Sequence, residues 1–204
     1  AKNINCVLVL NPDVVCLPKP VLSSLESQLD IHLDVAAVSP LVLTLGRDSD
    51  DLNTARAQIQ VRRILSSFEM FICSTFLRKV FRFVMKRYVY SELKGKGGIH
   101  IVDSINGACF LIDLSRINFR FSEEMFLYFE EVYMGYLFKE VGLKFILHGD
   151  IFVRHSQGAT TGSNNRSYSV LRERQKLSSE LLVYTHFKVF NYLLLLPLPD
   201  HNEL

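Results

Sequence analysis

Three short stretches carry residue types that could do chemistry together. Asn11-Pro12-Asp13 follows the apolar run Cys6 to Leu10. A carboxylate just past a buried strand can hold a hard divalent cation that bridges to a diphosphate. Glu130 and Glu131 sit side by side after the aromatic run Phe126-Leu127-Tyr128-Phe129. In such a pair one acid can position a group while the other accepts a proton. Val153-Arg154-His155 ends a third apolar run, ahead of a polar stretch rich in Gly, Ser and Thr. Each stretch also has an ordinary reading. Asn-Pro-Asp is common turn chemistry, acids at a helix start offset the macrodipole, and a lone His is more often structural than catalytic.

The elements that must position these residues read as α/β. Cys6 to Leu10 has the continuous apolar character of a buried strand in a parallel sheet. Pro18 and Pro20 suit a helix entry, with Val21, Leu22, Leu25 and Leu29 at helical spacing. Val35 to Val38 reads as a second strand closed by Ser39-Pro40, which completes a strand-helix-strand unit. Gly46 to Asn53 and Gly95 to Gly98 read as loops. Asn106-Gly107-Ala108 is a small-residue turn into the strand Cys109 to Ile112. Val132 to Val141 reads as a helix capped by Gly142. Lys144 to Leu147 and Ile151 to Arg154 read as two further strands, and 168 to 196 as a helix stopped by Pro197 and Pro199.

Residues 56 to 90 differ in character. Between 61 and 90 lie Arg62, Arg63, Arg78, Lys79, Arg82, Lys86 and Arg87 against a single acid, Glu69. Arg78, Arg82 and Lys86 share one helical stripe, and Leu77, Val80, Phe81, Val84 and Tyr88 share another. The spacing predicts a basic amphipathic helix. It could pack on the domain with a solvated basic face, or lie on an anionic membrane surface.

Composition excludes several classes. Hydrophobic residues make up 49% of the 204, enough for a substantial core, so global disorder is excluded. The net charge of +2 and the lack of a recognition motif argue against nucleic acid as partner. Cys6, Cys16, Cys73 and Cys109 are scattered, without zinc-ligand spacing, and are expected as buried free thiols. No signal-peptide pattern and no uncharged apolar run of membrane-spanning length occurs.

The order of the motifs is more specific than any one of them. A strand ending in Asn11-Pro12-Asp13 is followed by Asn106-Gly107-Ala108-Cys109-Phe110-Leu111-Ile112, then Phe126-Leu127-Tyr128-Phe129-Glu130-Glu131, then Arg154-His155 with Gly158-Ala159-Thr160. This set resembles the family 2 glycosyltransferases, and within them the rhamnosyltransferase-like branch that builds bacterial surface polysaccharides. The resemblance runs over residues 1 to 165 and is strongest at 7–40 and 101–160. It implies a GT-A fold, a Rossmann-like α/β domain, over 1–165, with a helical insertion at about 56–90 and a C-terminal helical tail at 166–204. It implies an inverting transfer of a sugar, rhamnose among the candidates, from a nucleotide-diphosphate donor to a glycan or lipid-linked glycan. By the same resemblance Asp13 and His155 belong to a Mg²⁺ or Mn²⁺ site. Glu131 stands at the position of the catalytic base beside Glu130. Asn11, Asn106, Gly107, Ala108 and Phe129 line the substrate pocket. The family's usual Asp is Glu at 131, and a further acid is replaced by Tyr133. The family's first strand-helix-strand half, which grips the nucleobase, has no counterpart here, so the chain is expected to begin partway through the domain. A peripheral location on the cytoplasmic face of the membrane follows from the lipid-linked acceptor. The alternative is a catalytically weak glycosyltransferase-like binding or scaffold protein.

Overall fold

The computed structural model describes residues 6–15, 19–44, 56–58, 61–74, 76–117 and 130–155. They form an α/β arrangement around one mixed sheet. The chain order is β1 (Cys6–Leu10), β2 (Val14–Val15), α1 (Lys19–Ile31), β3 (Val35–Thr44), β4 (Arg56–Gln58), α2 (Ser67–Ser74), α3 (Arg82–Tyr88), β5 (Ile99–Val102), β6 (Cys109–Asp113), α4 (Glu130–Glu140) and β7 (Lys144–His155), with short 3-10 turns at Phe76–Lys79 and Ser91–Leu93. The main path across the sheet is β1-β6-β3-β7-β2, with β4 on β3 and β5 on β7.

Strand β3 runs parallel to β7, while β6 lies antiparallel to both β1 and β3. β1, β3 and β7 therefore point the same way. Their C-terminal ends share one edge of the sheet with the start of β6. The expected parallel strand at Cys6–Leu10 is thus corrected. β1 is the end strand of the main path, and its only pairing among the described residues is antiparallel, to β6. Among the described residues no strand pairs with its other flank, and Val7 is 44% exposed.

Two other expected boundaries move. β3 does not close at Ser39-Pro40 but continues to Thr44. Pro40 has no N–H to donate, and the ladder with β7 accommodates this by a jump in register, from Pro40↔His148 to Leu41↔Phe152. The extra residues on β7 are Gly149, Asp150 and Ile151, so the two strands expected at 144–147 and 151–154 are one irregular strand.

The sheet is sandwiched between two apolar layers. On one face Val21, Leu25 and Leu29 of α1 pack on Val35, Val38, Val42, Cys109, Leu111, Ile146 and Val153. On the other, Met134 and Phe138 of α4 pack with Ala36, Ala37, Phe110, Ile112, Phe145 and Leu147. Strand β6 shows why its sequence is apolar from Cys109 to Ile112. Cys109 and Leu111 face α1 while Phe110 and Ile112 face α4, and all are buried. Burial pushes the Cys109 thiol up to about 12, as expected for an inert core cysteine. Cys6 and Cys73 are only partly buried, unlike the expectation for them.

Helix α4 ends as its sequence suggests. Gly142 takes φ +75°. Leu143 N donates to Phe138 O and Gly142 N to Lys139 O, the paired bonds of a Schellman cap. Phe138 then stacks on Phe145 with ring centroids 4.5 Å apart. The first βα unit is locked differently. Arg116 donates to the carbonyls of Leu29, His32 and Val35 at 2.6–2.7 Å and pairs with Asp113 at 2.8 Å.

The single amphipathic helix expected around 77–88 is two short pieces, the 3-10 turn Phe76–Lys79 and α3, separated at Val80 and Phe81. The expected apolar stripe is divided accordingly. Val84 is buried, while Val80 is exposed. The proposed tail at 166–204, Gly158-Ala159-Thr160 and the aromatic run 126–129, Phe129 included, lie outside the described residues.

Candidate active site

The carboxyl ends of parallel strands are where open α/β sheets place their ligands. Here that edge collects the predicted residues. β1 ends at Leu10, opposite Cys109, and Asn11 N donates to Ala108 O at 2.9 Å. The chain turns at Pro12-Asp13, where Val14 N donates back to Asn11 O at 3.1 Å. Val14 then pairs with His155 at the end of β7. This pairing sets Asp13 beside the imidazole. His155 Nε2 lies 2.9 Å from Asp13 Oδ1, although 142 residues separate them. Both side chains are largely enclosed, and His155 Nδ1 is buried with no hydrogen-bond partner among the described residues.

The second half of the site grows from a neighbouring turn, the one whose Ala108 carbonyl accepts from Asn11 N. Asn106 is buried, and its Oδ1 accepts from Ala108 N at 2.8 Å, which fixes the Asn106-Gly107-Ala108 turn. Gly107 N donates to Glu131 Oε1 at 3.0 Å. A Cβ on Gly107 would collide with that oxygen and stand 3.0 Å from Glu131 Cδ. The glutamate carboxyl occupies the space of a side chain at 107, so any Cβ there must displace it. A second glycine serves the same approach. A Cβ on Gly135 would run into the backbone oxygen of Asp103, so α4 lies close against the segment 103–107.

Burial pushes the Glu131 carboxyl above the ordinary carboxylate range. Hydrogen bonds from its own N–H and from Gly107 N–H, and the positive charge of Arg62, pull the other way and do not cancel the desolvation. The residue as a whole is half-buried, with its carboxyl group the enclosed part. Glu130, the preceding residue of α4, is also partly exposed and makes interactions of its own. Both acids sit in the first turn of α4, where they oppose the helix dipole.

Asn11 is solvent-exposed and Ala108 is buried in the α1-side core. The structure therefore brings Asn11, Asp13, Asn106, Gly107, Ala108, Glu131 and His155 to one sheet edge. It also adds residues whose sequence context marks them only as part of a basic run or not at all. Ser104 Oγ donates to Arg62 O at 3.0 Å and accepts from Arg62 N at 2.8 Å, which holds Arg62 near Glu131. Asp103 Oδ2 accepts from Ile64 N at 3.0 Å. Tyr90 OH accepts from Asp103 N at 2.9 Å, and the tyrosine is itself held in the left-handed region at φ +49° with its ionisation pushed to about 12 by burial. No spacing rule links 62 to 104 or 90 to 103, because these bonds join separate elements.

The arrangement offers a buried acid-imidazole pair and, across one turn, a carboxylate held in a low-dielectric setting. Such a carboxylate is a stronger base than one in water. Among the described residues no group of three His, Cys, Asp or Glu could hold a metal ion by protein ligands alone. No protein-family model matches the chain, and no curated protein shows a significant match to it.

Proposed function

We propose that the chain is the catalytic part of an inverting glycosyltransferase. It moves a sugar from a nucleotide-diphosphate donor to a hydroxyl of a glycan acceptor. The observation that carries this reading is that the Asp13–His155 pair and the desolvated Glu131 lie on two adjoining turns at the carboxyl end of the strands, joined by the Asn11 N–Ala108 O bond. The ordered motif resemblance supports the same reading. So does the α/β sheet, which is compatible with the Rossmann-like GT-A form.

In this reading the acceptor hydroxyl gives its proton to the Glu131 carboxylate. Its oxygen forms a bond to the anomeric carbon from the face opposite the diphosphate. The bond to the diphosphate oxygen breaks, and the nucleoside diphosphate leaves with that electron pair. Glu130, one residue earlier, orients the acceptor. The turn Asn106-Gly107-Ala108 holds the base, since Gly107 N–H fixes one carboxylate oxygen.

Asp13 and His155 fit a Mg²⁺ or Mn²⁺ site of the kind completed by substrate phosphates rather than by protein alone. Asp13 supplies a carboxylate, and His155 either orients it through the 2.9 Å contact or contributes a nitrogen. A cation there would stabilise the negative charge that develops on the leaving diphosphate. The resemblance extends the proposal to a rhamnose-type donor and a lipid-linked acceptor in surface polysaccharide assembly, met at the cytoplasmic face of the membrane.

One observation favours a second reading, a binding protein without turnover. Glu131 already spends one oxygen on holding a turn, a task that needs no catalysis. Incubation of the protein with a panel of nucleotide sugars and Mn²⁺ separates the two. Sugar transfer or donor hydrolysis supports the enzyme. Calorimetric binding of nucleoside diphosphate with no turnover of any donor selects the binding protein.

A further inference from the structure

The segment from Phe76 to Tyr88 contains five basic residues, Arg78, Lys79, Arg82, Lys86 and Arg87, and no acid. Its apolar side chains do not all turn inward. Val84 is buried, and Leu77, Phe81, Met85 and Tyr88 are partly so. Phe76 is 78% exposed, Val80 70% and Phe83 66%. On α3, Arg82, Phe83, Lys86 and Arg87 occupy one helical face, opposite the face of Val84, Met85 and Tyr88. The 3-10 turn Phe76–Lys79 buries none of its residues. Single exposed hydrophobics are ordinary. Three within eight residues, interleaved with cations, make a surface with a purpose.

We propose that this surface docks the protein on an anionic lipid bilayer. Phe76, Val80 and Phe83 enter the headgroup region, and Arg78, Lys79, Arg82 and Lys86 meet lipid phosphates. Charge complementarity selects this occupant. A bilayer presents anionic phosphates immediately above an apolar layer, which matches cations set beside aromatic side chains. A second copy of the chain would bring two such basic faces together, and like charges oppose that contact. The docking face differs from the one that the helical stripe of the sequence suggested, because Val84 is committed to the protein interior and Phe76 and Phe83 take its place outside. The platform is tied to its neighbours at the edge of this face, where Arg87 pairs with Glu69 on α2, and behind it, where Arg63 pairs with Glu92 while stacking on Tyr90. Changes to the outer face thus leave the inner packing in place.

The test is co-sedimentation of the full chain with vesicles of phosphatidylcholine alone or mixed with phosphatidylglycerol. Binding is expected to the mixed vesicles only, and is expected to be lost at about 0.5 M salt. Arg82→Glu with Lys86→Glu should weaken it by about 30-fold or more. Phe76→Ser with Phe83→Ser should weaken it about tenfold or more while the circular dichroism spectrum stays unchanged. Equal binding to neutral vesicles, no binding to anionic ones, or indifference to the phenylalanine pair overturns the proposal. So does concentration-dependent self-association abolished by the same variants. None of these readouts depends on sugar transfer, so failure of the enzymatic reading leaves this one standing, and the reverse.

Discussion

Glu131 occupies the place where Gly107 would carry a side chain, and the Gly107 N–H bonds its Oε1 at 3.0 Å. The two residues define each other. Gly107→Ala must push the carboxylate away or tilt α4. A displacement of about 1 Å in a catalytic group costs about 100-fold in rate. Turnover of the protein is expected to fall by about that factor, with metal-dependent nucleotide binding little changed. Steady-state kinetics beside calorimetry would check it. An alanine variant with full turnover would show that the base is not held from Gly107.

Glu131→Gln keeps the shape and an acceptor oxygen for Gly107 but removes the proposed base. Turnover should drop by about 100- to 10,000-fold, the range that general-base catalysis supplies, with donor affinity retained. Loss in Glu130→Gln instead, with Glu131→Gln active, would reverse the two roles.

The raised ionisation of Glu131 also makes a pH prediction. Its unfolded value is about 4.3, and in the folded protein it lies higher. The folded state therefore holds the proton more tightly than the unfolded one. The stabilising contribution is full below about pH 4.3 and is lost as pH rises through the folded value. Glu131→Gln should remove this component, so that the difference in melting temperature between variant and wild type shifts in favour of the variant as pH rises across that window. Thermal unfolding at a series of pH values reads it. A difference that does not change with pH would mean the carboxyl is not desolvated. The same shift places the acid limb of the activity profile above the ordinary glutamate range.

Asp13→Ala should abolish Mn²⁺-dependent binding of a nucleoside diphosphate, because the site loses its carboxylate. His155→Ala should weaken it about 10- to 100-fold, the cost of losing a group that orients or supplements a ligand. Calorimetry with and without a chelator measures both. Metal-dependent binding unchanged in Asp13→Ala would remove the cation from this edge.

Arg116 offers a stability test remote from the chemistry. It satisfies three carbonyls around the end of α1 and pairs with Asp113. Arg116→Ala leaves a nearly buried acid without its cation, held only by Ser115, and should cost about 3 kcal/mol in denaturant unfolding. A change below about 1 kcal/mol would mean that water replaces the guanidinium easily.

What the sequence determined by itself is local. The apolar run of β6 marks an element buried on both faces, and helical spacing at Val21, Leu25 and Leu29 marks the face of α1 that packs on the sheet. Gly142 marks the end of α4. These follow from periodicity and backbone preference, which act within one element and are written in consecutive residues. Only the tertiary structure decided the rest. It inserted β6 antiparallel between β1 and β3, ran β3 through Pro40, and turned Phe76 and Phe83 outward while Val84 went in. It also joined Asp13 to His155 and seated Glu131 on Gly107. The residue types for that chemistry were legible, but their meeting was not. A side chain's own periodicity records whether it is buried, and the identity of what buries it is set by register and packing between segments far apart in the chain.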